Sequence, residues 1–383
     1  MSSGNATEQI TPLEGAGIRS ETAPAPSRHK LRLVPLLEVR QNVPETQRLA
    51  CYAASLAVAA AISFALLALS GVAPSDVMRE IATVAFSSPR ALGSVLAQTA
   101  PLVMAGLATA IAFRSNFWNI GLEGQMILGA IFASVVAIYD VGPEPARLVL
   151  MAVAAMAGGM LWVSVPAMLK QRLGVSEVIT TLLLNYVAFN LLLHLLYGPW
   201  KDPVSSFPHT EQYEAFERLP LLGWLNLTWT LPLAALLAGL LWWLLSYSRI
   251  GYLLDMTSSN REMARAVGVP VAGLTVAAIL ASGAVGGLTG FSIAAGVEFR
   301  MTQDFFAGYL FSGVLIAFLG RNHPAGVVIV AFFMAILLLV GQSLQIFFQV
   351  PSALVQLVQA IFIICVAASE FFLTYRMHWR AAT

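Results

Sequence analysis

The chain has 383 residues, of which 58% are hydrophobic and only 11% charged, with a mean hydropathy of +0.77. Soluble domains carry roughly 25% charged residues, so a water-soluble globule is excluded. A formal net charge of +1 gives no reason to expect a nucleic-acid partner, and the two cysteines, Cys51 and Cys365, both lie in apolar stretches and cannot form a disulfide framework.

Residues 1–48 are rich in Pro, Ser, Thr, Gly and charge and lack the apolar core of a cleaved signal peptide. They read as a disordered cytosolic tail. From there apolar stretches of about 20 residues, the length that crosses a bilayer as a helix, alternate with short polar gaps. Ten spans are expected, near 49–71, 91–113, 121–139, 146–169, 175–198, 228–247, 271–295, 303–320, 324–343 and 351–374. The 121–139 and 303–320 spans are the least regular and could be partly re-entrant. Threading the chain through them places 15 of the 21 Lys and Arg residues on one side, including both tails. That excess marks the cytoplasmic face. The fold class is therefore an all-α integral membrane protein with about ten transmembrane helices and both termini cytoplasmic. A transmembrane domain runs over 49–375, followed by a cytosolic tail at 376–383. The first span acts as an uncleaved anchor.

Polar groups interrupt the apolar pattern at defined places. In FRSNFWNIGLEGQMIL, from Phe113 to Leu128, the groups Asn119, Glu123 and Gln125 are costly near hydrocarbon unless they face protein or water. Gly121 and Gly124 permit tight backbone there. One reading makes Glu123 a helix N-terminal charge; the other places Phe117, Trp118, Asn119, Glu123 and Gln125 along a translocation path. Asn185, near the middle of the fifth span, either hydrogen-bonds a neighbouring helix or lines the same path. Small-residue pairs at Ala154/Gly158, Ala155/Gly159, Gly283/Gly287 and Gly286/Gly290 read as close helix packing.

The loop at 199–227 is unusually long for an external connector. Its segment TEQYEAFERL could form a helix capped by Thr210. It reads either as a solvated connector or as a docking surface for a ligand-delivery protein. Further on, the polar loop 248–270 carries a capping-box pair, Ser259 and Glu262, and a stop at Gly268 and Pro270. The result is a two-turn amphipathic helix between spans, a handle for a soluble partner. Phe305, Phe306 and Tyr309 crowd the eighth span as interface anchors or as stacking surfaces. Gln342 and Gln356 belong to a cluster of neutral amides near the last external turn, and suit a neutral solute better than an ion.

Absences narrow the function further. No phosphate loop, metal-ligand cluster, voltage-sensing helix or selectivity filter occurs in the sequence. No catalytic residues, metal site or cofactor are expected on this chain.

The blocks NFWNIGLEGQMILGA at 116–130, GVSEVITTLLLNY at 174–186, SSNREMARAVGV at 258–269 and GYLFSGVLIAFLGRNHPAGV at 308–327 resemble the permease subunits of bacterial ABC importers, in the simple-sugar and nucleoside branch. The likeness runs from about 91 to 372. It implies ten helices per permease in the inner membrane and a pairing with a second, related permease as a heterodimer, with a homodimer the alternative. It also implies a cytosolic ATPase that binds ATP, and a periplasmic or lipid-anchored substrate-binding protein. Carried onto this sequence, Arg261, Glu262, Arg265 and Gly268 form the ATPase-coupling helix, and the cargo is a nucleoside or simple sugar. The competing reading is a secondary transporter of a small neutral solute, driven by an ion gradient; it lacks midplane charges. His323 departs from the branch pattern, in which asparagine is more usual.

Overall fold

The computed structural model describes residues 32–40, 43–225, 227–306 and 308–382. Among them thirteen α-helices follow in chain order: α1 (Glu45–Leu69), α2 (Pro74–Phe86), α3 (Pro89–Arg114), α4 (Leu122–Ile138), α5 (Glu144–Leu173), α6 (Glu177–Tyr197), α7 (Thr230–Tyr247), α8 (Arg249–Ser259), α9 (Arg261–Ala266), α10 (Val271–Ile293), α11 (Tyr309–Leu319), α12 (Pro324–Phe348) and α13 (Ser352–Thr374). A π-helical turn, Ala294–Glu298, extends α10.

Ten of these helices stand where the apolar stretches place spans, and eight are long and apolar enough to cross a membrane. The two that fall short are α4 and α11, the pair singled out as irregular. With 17 and 11 residues they reach only about 25 Å and 16 Å, against a hydrocarbon core of about 30 Å. Non-helical backbone makes up the difference, at 115–121 before α4 and at 299–306 and 308 before α11.

Part of the N-terminal segment expected to lack structure is ordered. Strand β1 (Arg32–Val39) pairs antiparallel with β2 (Tyr375–Ala382), which takes up the expected C-terminal tail. Because α1 and α13 pack on each other, the chain entering one and leaving the other runs side by side. The expected tail at 1–31 lies outside the described residues.

The core is an interlock of two halves. After α3, both α4 and α5 pack on α10; after α10, both α11 and α12 pack on α3, and α3 touches α10 directly. Each half therefore packs on the first helix of the other. Glycines make it possible. A Cβ on Gly159 would strike the Gly283 carbonyl oxygen, one on Gly129 would strike Gly287, and one on Gly290 would strike the Met126 carbonyl oxygen. Helices without side chains at these points approach backbone to backbone, as expected where lipid gives no hydrophobic drive between helices. The periphery is looser: α1 and α13 bury only a small share of their surfaces.

Candidate functional site

One end of the bundle carries α8 and α9. Ser248 caps α8, its Oγ accepting from the N–H groups of Ile250 (3.1 Å) and Gly251 (3.3 Å). α9 is capped by Asn260, whose Oδ1 accepts from Met263 N (3.0 Å). This displaces the expected Ser259–Glu262 capping box. Ser259 ends α8 and donates to the Asp255 carbonyl (2.8 Å), and Glu262 pairs with Arg265 (3.0 Å). The helix before the cap runs further than periodicity indicates, and asparagine caps as well as serine. Gly268, at φ +84°, closes α9, with Val269 N bonded back to the Ala264 carbonyl (3.0 Å). No neighbour crowds a Cβ there, so backbone conformation alone calls for glycine. Within α9 only Ala264 is buried; Arg261, Glu262 and Arg265 are exposed, and so are the apolar Met263 and, just beyond, Val267.

A chain of polar contacts joins this loop to the gap before α4. Asn116, at φ +55°, donates from Nδ2 to the Ser258 carbonyl (3.0 Å). Its own carbonyl accepts from Lys170 Nζ (3.2 Å), and Lys170 is also paired with Glu177. Glu177 Oε1 accepts from Trp118 N (3.4 Å). Alongside, Arg114 pairs with Asp255 at 3.8 Å. The loop, the end of α3 and the α5–α6 turn are thereby tied together.

Deeper in, the same gap is sealed by amides. Asn119 Oδ1 accepts from Gln125 Nε2 (2.8 Å) and Gly121 N (3.1 Å); its Nδ2 donates to Ser282 Oγ (3.1 Å) and Gln125 Oε1 (3.2 Å). Ser282 Oγ donates onward to the Ala108 carbonyl (2.7 Å). Asn185 accepts from Gly124 N and donates to the Ile120 carbonyl, both at 2.9 Å. Such partners are what irregular backbone requires at membrane depth.

These contacts sort the expected path residues. Phe117, Asn119, Gln125, Asn185 and Phe305 are buried, and the three amides are bonded to partners inside the bundle. Trp118 is 49% exposed and packs on Phe113 and Phe318. Glu123 is half-buried, with the Leu310 backbone N–H at its carboxylate. Tyr309 is half-buried and accepts from Gln98 Nε2 (3.2 Å). Gln342 and Gln356 are exposed, near the far ends of α12 and α13. Phe306 stacks edge-on to Phe305 and Phe189, each at 5.6 Å. Asn116, Lys170, Ser258 and Ser282 were not singled out by sequence. Their signal was faint: a serine in a glycine-rich span, and polar residues at the edges of longer motifs.

At the opposite end, the 199–227 loop seals the second gap. Leu219 N donates to the Ala295 carbonyl (2.9 Å), Tyr213 N to Phe299 (2.9 Å) and Thr210 N to Met301 (3.1 Å). Met301 N returns a bond to Thr210 Oγ1 (3.0 Å). The helix expected over TEQYEAFERL is absent; that segment lies extended or turned, because its backbone groups serve the broken α10–α11 connection. Buried Tyr213 shares a hydrogen bond with Ser134, and burial lifts its hydroxyl well above the ordinary range, keeping it neutral. Arg147 bonds Glu217 (3.0 Å) and Asp140 (2.6 Å), pinning the loop to α5. Among the described residues no group of His, Cys, Asp and Glu could hold a metal ion.

Comparison with known proteins matches residues 91–367 to the family described as branched-chain amino acid transport system / permease component. The glucose ABC transporter permease protein of Haloferax volcanii is 33% identical over 352 residues, covering 89% of this chain and 93% of that one. Two guanosine ABC transporter permease proteins of Bacillus subtilis are also similar. One is 31% identical, over 73% of this chain and 81% of its own length; the other is 26% identical, over 73% and 91%.

Proposed function

We infer the role of this molecule from one premise: the chain belongs to the branched-chain amino acid transport system / permease component family. It is a multi-pass membrane subunit of an ABC transporter, a transport subunit rather than an enzyme. An ABC ATPase and a second permease are its partners, and the likeness to two guanosine permeases of a single organism supports a related but non-identical second permease.

The chain imports a nucleoside or a simple sugar across the inner membrane, with the α9 end and both termini in the cytosol. Its relatives' cargoes support that substrate class. A periplasmic or lipid-anchored binding protein delivers the solute, and ATP is held by the partner ATPase. The observation that carries the coupling reading is the exposed α9, wired through Ser258 and Asn116 to the gap before α4. Arg261, Glu262 and Arg265 seat in the ATPase, and Gly268 sets the hinge behind them. When the partner closes on ATP, α9 moves as a rigid piece, and the Asn116 link passes the displacement to a junction held by amides. The path follows the half-exposed Trp118, Glu123 and Tyr309, with Gln342 and Gln356 near its outer end.

The test is uptake of labelled guanosine and glucose into vesicles holding this permease, its co-encoded second permease, ATPase and binding protein. ATP-dependent accumulation of either solute is expected, with Arg265→Glu abolishing it while assembly persists. Full-rate uptake without the ATPase, driven by an ion gradient, would overturn the reading in favour of a secondary transporter.

A further inference from the structure

A cavity of about 510 Å³ lies between the α1/α13 pair and the α2, α11 and α12 helices, away from both broken gaps. Leu67, Val77, Met334, Val355 and Phe362 are among its lining side chains, and the only polar ones are Ser63 and Gln359. Its lining on α12 runs from Val330 to Leu344. At 1.5 Å per residue that is about 21 Å along the helix, more than the ~15 Å depth of one leaflet. The hollow is therefore long, narrow and roughly parallel to helices that are built to cross a membrane.

Two features say what fills it. Ser63 Oγ is buried and has no hydrogen-bond partner, although its side chain lines the hollow. It stands six residues before the end of α1, about 9 Å inside that end, and its hydroxyl can donate to an acceptor entering from there. Above it, the amphipathic α2 roofs the hollow with Val77, Met78 and Ile81. α2 is held to α12 by Ser343 donating to Glu80 (2.7 Å).

We propose that this hollow is a phospholipid site, with one acyl chain between α1/α13 and α12 and an ester carbonyl at the Ser63 hydroxyl. The apolar lining matches an acyl chain. Ester oxygens only accept, which suits the unpartnered hydroxyl. The bound chain acts as a wedge that seats the peripheral pair, since α13 has few direct contacts with α11 and α12. This inference rests on the helices crossing a membrane and is independent of cargo or coupling.

The experiment embeds the full chain in nanodiscs containing phosphatidylglycerol with a photoreactive group in one acyl chain. After irradiation, labelled peptides are mapped by mass spectrometry. Labelling concentrated on Phe64, Met334 and Val358 is expected. Ala60→Phe, which places a ring in the hollow, lowers it on the order of tenfold, the effect of displacing about two buried methylenes. Labelling as strong on the outward-facing Val149 and Val153 of α5 overturns the proposal. So does labelling of the hollow that Ala60→Phe leaves unchanged. Mapping of the unmodified chain decides the matter even if a variant fails to fold.

Discussion

The two gaps in the bundle solve one problem by different means. Backbone at 115–121, at 299–306 and at 308 leaves its helix at membrane depth and needs hydrogen-bond partners there. The first gap takes them from side chains on helices remote in sequence: Lys170 at the Asn116 carbonyl, Glu177 at Trp118 N and Asn185 at the Ile120 carbonyl. The second takes them largely from the backbone of the 199–227 loop, at Leu219, Tyr213 and Thr210. Side chains can exchange partners by rotating, whereas a backbone ladder must be broken to move. The gap that connects to α9 is the one sealed by exchangeable groups, in keeping with the coupling route proposed above.

That contrast can be broken, beginning with the largest effect. Asn119→Leu strips the hub of the first gap and leaves Gln125 and Ser282 with orphaned groups. At ~1–3 kcal/mol for each unsatisfied buried polar group, a loss of about 3 kcal/mol is expected, seen as a lower thermal midpoint in detergent. An unchanged midpoint would mean that water replaces the amide without penalty and that the gap is not sealed. Asn116→Ala should cost far less stability, about 1 kcal/mol for one hydrogen bond at the surface. It should nonetheless separate ATP hydrolysis from transport, with uptake falling on the order of tenfold (about 1.4 kcal/mol of coupling). Normal uptake by this variant would remove the Ser258 link from the coupling route. Thr210→Val sharpens the comparison from the other side. It deletes the hydroxyl contact to Met301 N, and about 1 kcal/mol of stability should go with it while transport per folded molecule is preserved. If Thr210→Val impairs uptake as much as Asn116→Ala does, the anchored and the mobile gap are not distinct.

Much of this was legible in the chain itself. The apolar run lengths located ten helices, and the irregularity near 121–139 and 303–320 pointed to the two that prove too short to cross alone. Gly268 with Pro270 marked the end of α9, and the small-residue pairs marked the helix contacts. The path residues read less well. Asn119, Gln125 and Asn185 look alike in sequence to amides lining a pore; for Asn185 the sequence equally allows a bond to a neighbouring helix, which it makes, while Asn119 and Gln125 bond each other. Ser282 lies 163 residues from its partner Asn119, and no local period connects them. The long loop misled for a related reason: TEQYEAFERL has helical composition, but the unpaired backbone it must satisfy belongs to residues some 90 positions away, as Thr210 and Met301 demonstrate.

Hydrophobic run length, charge placement and glycine positions determined that this chain crosses a membrane many times, where its helices lie, and that a small polar helix is held out between them. Those properties follow from local solvation and backbone conformation, which each segment carries with it. Which amides face a partner and which face open space was decided only when α3 and α10 interlocked. A polar side chain is satisfied by whatever the fold brings beside it, and that neighbour is set by packing across the whole bundle.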